Sequence, residues 1–151
     1  MPHRTLSART RKITFRSAGA PHVLRRLLAA VVALAVAAGL TLGLEQLFAL
    51  PYAVGIGVGI GAGVFLVMDG SAGAGEGWVY HEARPRSDRI RDFQWTAGVG
   101  AGIGLALAYV AAVVHLARIP AAVMVTVGTL IAANMIFLWR RPAYEQMLDE
   151  E

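Results

Sequence analysis

Few side chains in this sequence have the means to do chemistry, and they can be weighed one at a time. Glu45, with Gln46 beside it, is an acid set between two long apolar runs, where a carboxylate can serve proton or cation movement. Asn134 lies inside a further apolar run, on the broad face shared with Leu130, Ile131 and Phe137. An amide in such a place needs hydrogen-bond partners, so an interhelical bond or a substrate contact is its expected role. His115 stands near the end of another run, positioned for an interface role or a proton relay. Glu45, His115 and Asn134 are therefore the candidate polar path. Thr126 and Thr129 are expected to satisfy their hydroxyls on their own helix backbone.

Other chemistries find no support. His81, Glu82, Asp88 and Asp92 are potential metal ligands, but their spacing matches no helical pair such as His-x-x-x-His. The chain has no cysteine, which excludes disulfides, thiolate metal sites, iron–sulfur ligation and cysteine nucleophiles. The run Gly55-x-Gly57-x-x-Ile60 lacks the strand–loop–helix setting of a phosphate-binding loop. No catalytic residue, cofactor or metal is expected, and the protein is read as a non-enzyme.

The elements that carry these residues follow from where the charges are. Of 151 residues 56% are hydrophobic and 16% charged, against about 25% charged in a soluble domain. The charges cluster, leaving uncharged gaps at 27–44, 46–68, 93–117 and 119–139. Crossing the hydrocarbon of a bilayer takes about 20 residues at 1.5 Å each. Each gap is long enough for one crossing and too short for two, and none carries the polar stripe of a soluble helix. The expected fold is all-α, a four-span transmembrane helical bundle with antiparallel up-down neighbours.

The spans are placed at about 23–44, 52–68, 96–117 and 120–139, with a tail at 1–22, a loop at 69–95 and a tail at 140–151. Pro21, Pro51 and Pro120 suit first-turn positions. Ser87 or Asp88 can cap a short helix that feeds the third span. Ala35-Val36-Ala37 after a basic start resembles a cleavable signal, but the apolar run continues to Leu44, so it is read as a span.

Orientation comes from the basic residues. Seven lie in the amino-terminal stretch (Arg4, Arg9, Arg11, Lys12, Arg16, Arg25, Arg26), and the middle loop and carboxy-terminal end add Arg84, Arg86, Arg89, Arg91, Arg140 and Arg141. Only Arg118 falls on the other side. Thirteen against one puts both termini and the middle loop in the cytoplasm. The net charge of +4 is explained by this signal and by anionic lipid, not by nucleic acid. The arginine, alanine, valine and glycine usage points to a prokaryotic plasma membrane.

In lipid, helices associate by close backbone approach at small residues. The second span places Gly55, Gly59 and Gly63 on one face and Gly57 and Gly61 opposite. The third offers Gly100 and Gly104 on one stripe and Gly98 and Gly102 on another, the first Ala35, Gly39 and Gly43, and the fourth Gly128 and Ala132. These Gly-rich faces on helices 2 and 3 are expected to be packing surfaces, inside one molecule or between several. The functional expectation is a structural or accessory subunit that assembles with itself or a larger membrane-protein partner. The alternative is a small oligomeric channel or carrier with Glu45, His115 and Asn134 along its path.

Overall fold

The computed structural model describes residues 20–69 and 86–149, and among them there is no strand. Four helices form: α1 (Ala20–Leu44), α2 (Leu50–Asp69), α3 (Arg86–Val113) and α4 (Arg118–Asp149). All four are long and apolar enough to cross a membrane. The basic residues before position 20 and the loop segment bearing His81 and Glu82 lie outside the described residues.

The helix ends have local causes. In both α2 and α4 a proline sits in the first turn, where its missing N–H costs nothing because those donors have no partner within the helix. The turn after α1 is closed by the Glu45 N–H on the Thr41 carbonyl (2.8 Å) and the Phe48 N–H on the Leu44 carbonyl (2.8 Å). α3 differs from the expected third span at both ends. It starts at Arg86, absorbing the short feeder helix into one continuous rod, with Asp88 in the first turn where an anion favours the helix dipole. It stops at Val113, before Ala117. α4 continues past Trp139 to Asp149, because leaving the hydrocarbon does not itself end a helix.

Size is sorted from inside to outside. The buried apolar positions are almost all alanine: Ala29, Ala53, Ala97, Ala108, Ala111 and Ala121 are all below 7% exposed, with Val125 the one large exception. Leu34, Ile119 and Trp139 are among the large side chains left more than 70% exposed. In water that arrangement would waste the main driving force for folding. In lipid, where apolar surface has no reason to hide, small residues gather where backbones approach.

α2 is the central helix, packing on all three others, and α1 packs chiefly on α2. A Cβ on Gly55 would stand 2.8 Å from the carbonyl carbon of Gly104. A Cβ on Gly59 would run into the backbone of Ala101, and one on Gly63 would meet Ala97 and Phe93 at 3.0–3.1 Å. On the other side of α2, a Cβ on Gly57 would collide with Thr41, and one on Gly61 would stand 2.8 Å from the Ala33 carbonyl oxygen. α1 thus meets α2 along Ala33, Ala37 and Thr41. The stripe Ala35, Gly39 and Gly43 points elsewhere, with nothing within 4 Å of either glycine.

α4 lies against α3 and α2, its buried Ala121, Val125, Thr129 and Ala133 recurring every fourth residue. Gly104 faces Thr129 Oγ1 at 2.6 Å from a built Cβ, and Gly128 faces the Leu107 side chain. Thr126 donates to the Ala122 carbonyl (2.8 Å), as its type predicts. Thr129 does not follow: it is fully buried and its Oγ1 has no hydrogen-bond partner among the described residues. A buried hydroxyl without a partner costs about 1–3 kcal/mol, and the isosteric valine lacks that penalty. Thr129→Val should therefore stabilise the fold by about 1 kcal/mol. Thermal unfolding in detergent checks this, and a lower midpoint would show that the hydroxyl is in fact satisfied.

Candidate functional site

Of the three residues expected to share a polar path, only Glu45 sits in a structured cavity. The α1–α2 turn, the end of α3 and the start of α4 meet at one end of the bundle and border an open cleft of about 490 Å³. Its buried lining is alanine (Ala108, Ala111, Ala121), and its outer lining includes Phe48, Tyr52 and Leu116. Glu45 and Arg118 complete it, joined as an ion pair in which an Arg118 guanidinium N–H donates to Glu45 Oε1.

The pair has a local reason. Arg118 is the first residue of α4, and no acidic residue occurs in that first turn. A cation there opposes the positive end of the helix dipole. Glu45, brought over from the other short turn, supplies the negative charge that α4 lacks. Because Arg118 is 63% exposed, the pair is worth at most about 1 kcal/mol, a weak tie between the two turns. Chemically the cleft offers apolar walls and two charges that satisfy each other.

His115 is at the same end but has a backbone role. It adopts φ 54°, the left-handed conformation. Its N–H donates to the Ala112 carbonyl (3.1 Å), and the Leu116 N–H reaches the Ala111 carbonyl (2.9 Å). Those are the two bonds of a Schellman C-cap, where glycine is the usual occupant. His115 terminates α3, which is why the helix ends before Ala117. The sequence signal was weak because glycine, the residue that announces this motif, is absent. His115→Gly should raise stability by about 1 kcal/mol by relieving the left-handed strain. A fall in the unfolding midpoint would assign the imidazole a contact that outweighs its backbone cost.

Asn134 lies far from both. Sixteen residues separate it from Arg118, about 24 Å along α4. It is exposed on the outer face of α4 and not directed into the bundle. The expected path through Glu45, His115 and Asn134 is therefore not assembled within one molecule. Asp88 and Asp92 fall in the first turns of α3.

The glycines divide as sharply. Gly55, Gly59, Gly63, Gly100 and Gly104 stand at the α2–α3 contact. Among the described residues nothing lies within 4 Å of a Cβ built at Gly98 or Gly102, so their expected packing role finds no partner there. On a helix, positions 98 and 102 turn away from the face that carries 100 and 104.

One residue has a role that charge counting does not reveal. The Arg25 guanidinium, near the start of α1, donates twice to the Met68 carbonyl through Nε (3.2 Å) and Nη2 (3.1 Å). Met68 is in the last turn of α2, whose carbonyls lack partners within the helix. Arg25 therefore clamps α1 to α2.

No protein-family model, curated protein or solved structure matches this chain. Its class rests on the fold itself. Four apolar helices of bilayer-spanning length, packed on small residues and displaying large ones, make it a multi-pass helical membrane protein.

Proposed function

We propose that this protein is a non-enzymatic structural or accessory subunit of a prokaryotic plasma membrane. It crosses with antiparallel up-down neighbours, and both termini and the middle loop face the cytoplasm. The Gly-rich face of α2 and α3 holds the molecule together, and the outward glycines serve assembly with a larger membrane protein or a further copy.

The observation that supports assembly is the open space around Gly98 and Gly102. Glycine inside a helix costs about 0.5–1 kcal/mol relative to alanine. Gly55 and Gly59 offset that cost by backbone contact, whereas Gly98 and Gly102 meet no neighbour among the described residues. A helix from another protein, laid along that stripe, would restore the return.

The channel or carrier reading has less support. Glu45 is paired with Arg118 and Asn134 is on the outside, so any polar path would have to form between copies.

The test joins the mass of the purified protein in detergent, recovery of bound membrane proteins, and a liposome flux assay. Assembly without flux is expected. A strict monomer that retains no partner would remove the subunit reading, and selective flux would replace it with the transport reading. Labelling of the amino terminus from outside intact cells would reverse the orientation.

A further inference from the structure

The outer face of α4 differs from that of α1 in carrying an amide, Asn134, among its exposed apolar residues. Val127, Ile131, Asn134 and Leu138 are all exposed. Their spacing of four, three and four residues fits an a/d seam of two helices packed side by side, as does that of the exposed Leu24, Leu27, Val31 and Leu34 on α1, so the amide is what singles this face out. Asn134 stands on that seam, about 7 Å in from the level of Trp139 at 1.5 Å per residue, within the apolar stretch. No hydrogen bond reaches its side chain among the described residues. An amide turned towards hydrocarbon with no partner is costly, so the face is incomplete without another chain.

We infer that this face binds a second copy of the same chain, α4 against α4 about a two-fold axis along the membrane normal, with Asn134 hydrogen-bonded to Asn134 of the second copy. The occupant follows from geometry and from the amide. Copies inserted in one orientation carry Asn134 at the same depth, so a two-fold axis brings the two amides together. Each amide has both donors and an acceptor, so the pair is self-complementary. A single asparagine on an otherwise apolar seam is the device that sets register and favours a two-helix state. The inference rests on the assembly reading but not on the Gly98 and Gly102 stripe, which lies on a different helix.

The test uses full-length protein in membranes. Because the chain has no cysteine, single substitutions report without background. Ile131→Cys should give a disulfide-linked dimer on oxidation, and Gly102→Cys should not give the same product at comparable yield. Asn134→Leu, on an exposed position that leaves the fold intact, should weaken dimerisation roughly tenfold by sedimentation equilibrium in detergent. Cross-linking confined to Gly102→Cys would overturn this face and leave the assembly reading standing. Absence of cross-links at both positions together with a monomeric mass would overturn self-association at either face and leave only assembly with a different membrane protein. An unchanged dimer constant in Asn134→Leu would overturn the paired amides even if the chains associate.

Discussion

Gly59→Leu should abolish the native packing, and Gly102→Leu, the same change one helix away, should leave the monomer fold intact. At Gly59 even a Cβ would run into the Ala101 backbone, and the Gly100 carbonyl carbon would lie at 2.9 Å. Backbone cannot rotate aside as a side chain can, so the two helices must separate. Separation would open Gly55 from Gly104 and Gly63 from Ala97, which lie on the same seam. Overpacking a dense core typically costs about 1–3 kcal/mol. Here two further close approaches are lost with it, so a loss of about 3 kcal/mol or more is expected, a large share of total stability. At Gly102 there is open space, and leucine restores about 0.5–1 kcal/mol of helix propensity. Circular dichroism melts and gel filtration of the two variants in detergent decide the matter. Equal midpoints would mean that α2 and α3 do not meet at this seam.

Gly61→Leu should have a different outcome, the release of α1 with the rest retained. Gly61 faces the opposite side of α2, where its built Cβ would lie 2.8 Å from the Ala33 carbonyl oxygen and 2.8 Å from Ala37 Cβ. α1 has no other substantial neighbour among the helices, whereas α2, α3 and α4 each touch the other two. Separating α1 also strains the Arg25 bonds to the Met68 carbonyl, so the two losses reinforce each other. Hydrogen exchange in detergent should rise across the α2-facing part of α1 and remain at wild-type levels in α3 and α4. Uniform acceleration in all four helices would show that α1 is integral to one cooperative unit, and no change would show that it does not dock through Gly61.

Particular residues show how far the sequence could be read. The uncharged gaps located all four helices, because burying charge in hydrocarbon is costly enough to leave a visible pattern. The same gaps misjudged where helices stop. Hydropathy reports the lipid-immersed part, whereas α3 reaches back to Arg86 and α4 on to Asp149 through hydrogen bonding that lipid does not limit. The periodicity of α2 separated Gly55, Gly59 and Gly63 from Gly57 and Gly61, since 100° per residue fixes their angular positions. It was silent on neighbours: nothing in the sequence distinguishes Gly102, in open space, from Gly104, against Gly55.

The candidate site was less legible. Glu45 and Arg118 are 73 positions apart, and only docking of the two short turns makes them a pair. The sequence marks His115 for its imidazole, whereas the role the structure shows is carried by its backbone angle. Asn134 was identified as a polar group needing a partner, but the direction it faces depends on which side of α4 the other helices occupy. Local patterns of charge and size by themselves determined that this chain forms four apolar helices of bilayer length. Which faces meet, which glycines carry the packing and which polar groups are left outward were decided only by the tertiary structure. Those outcomes depend on the rotation of each rod about its own axis, a quantity set by close backbone contact between segments distant in the chain.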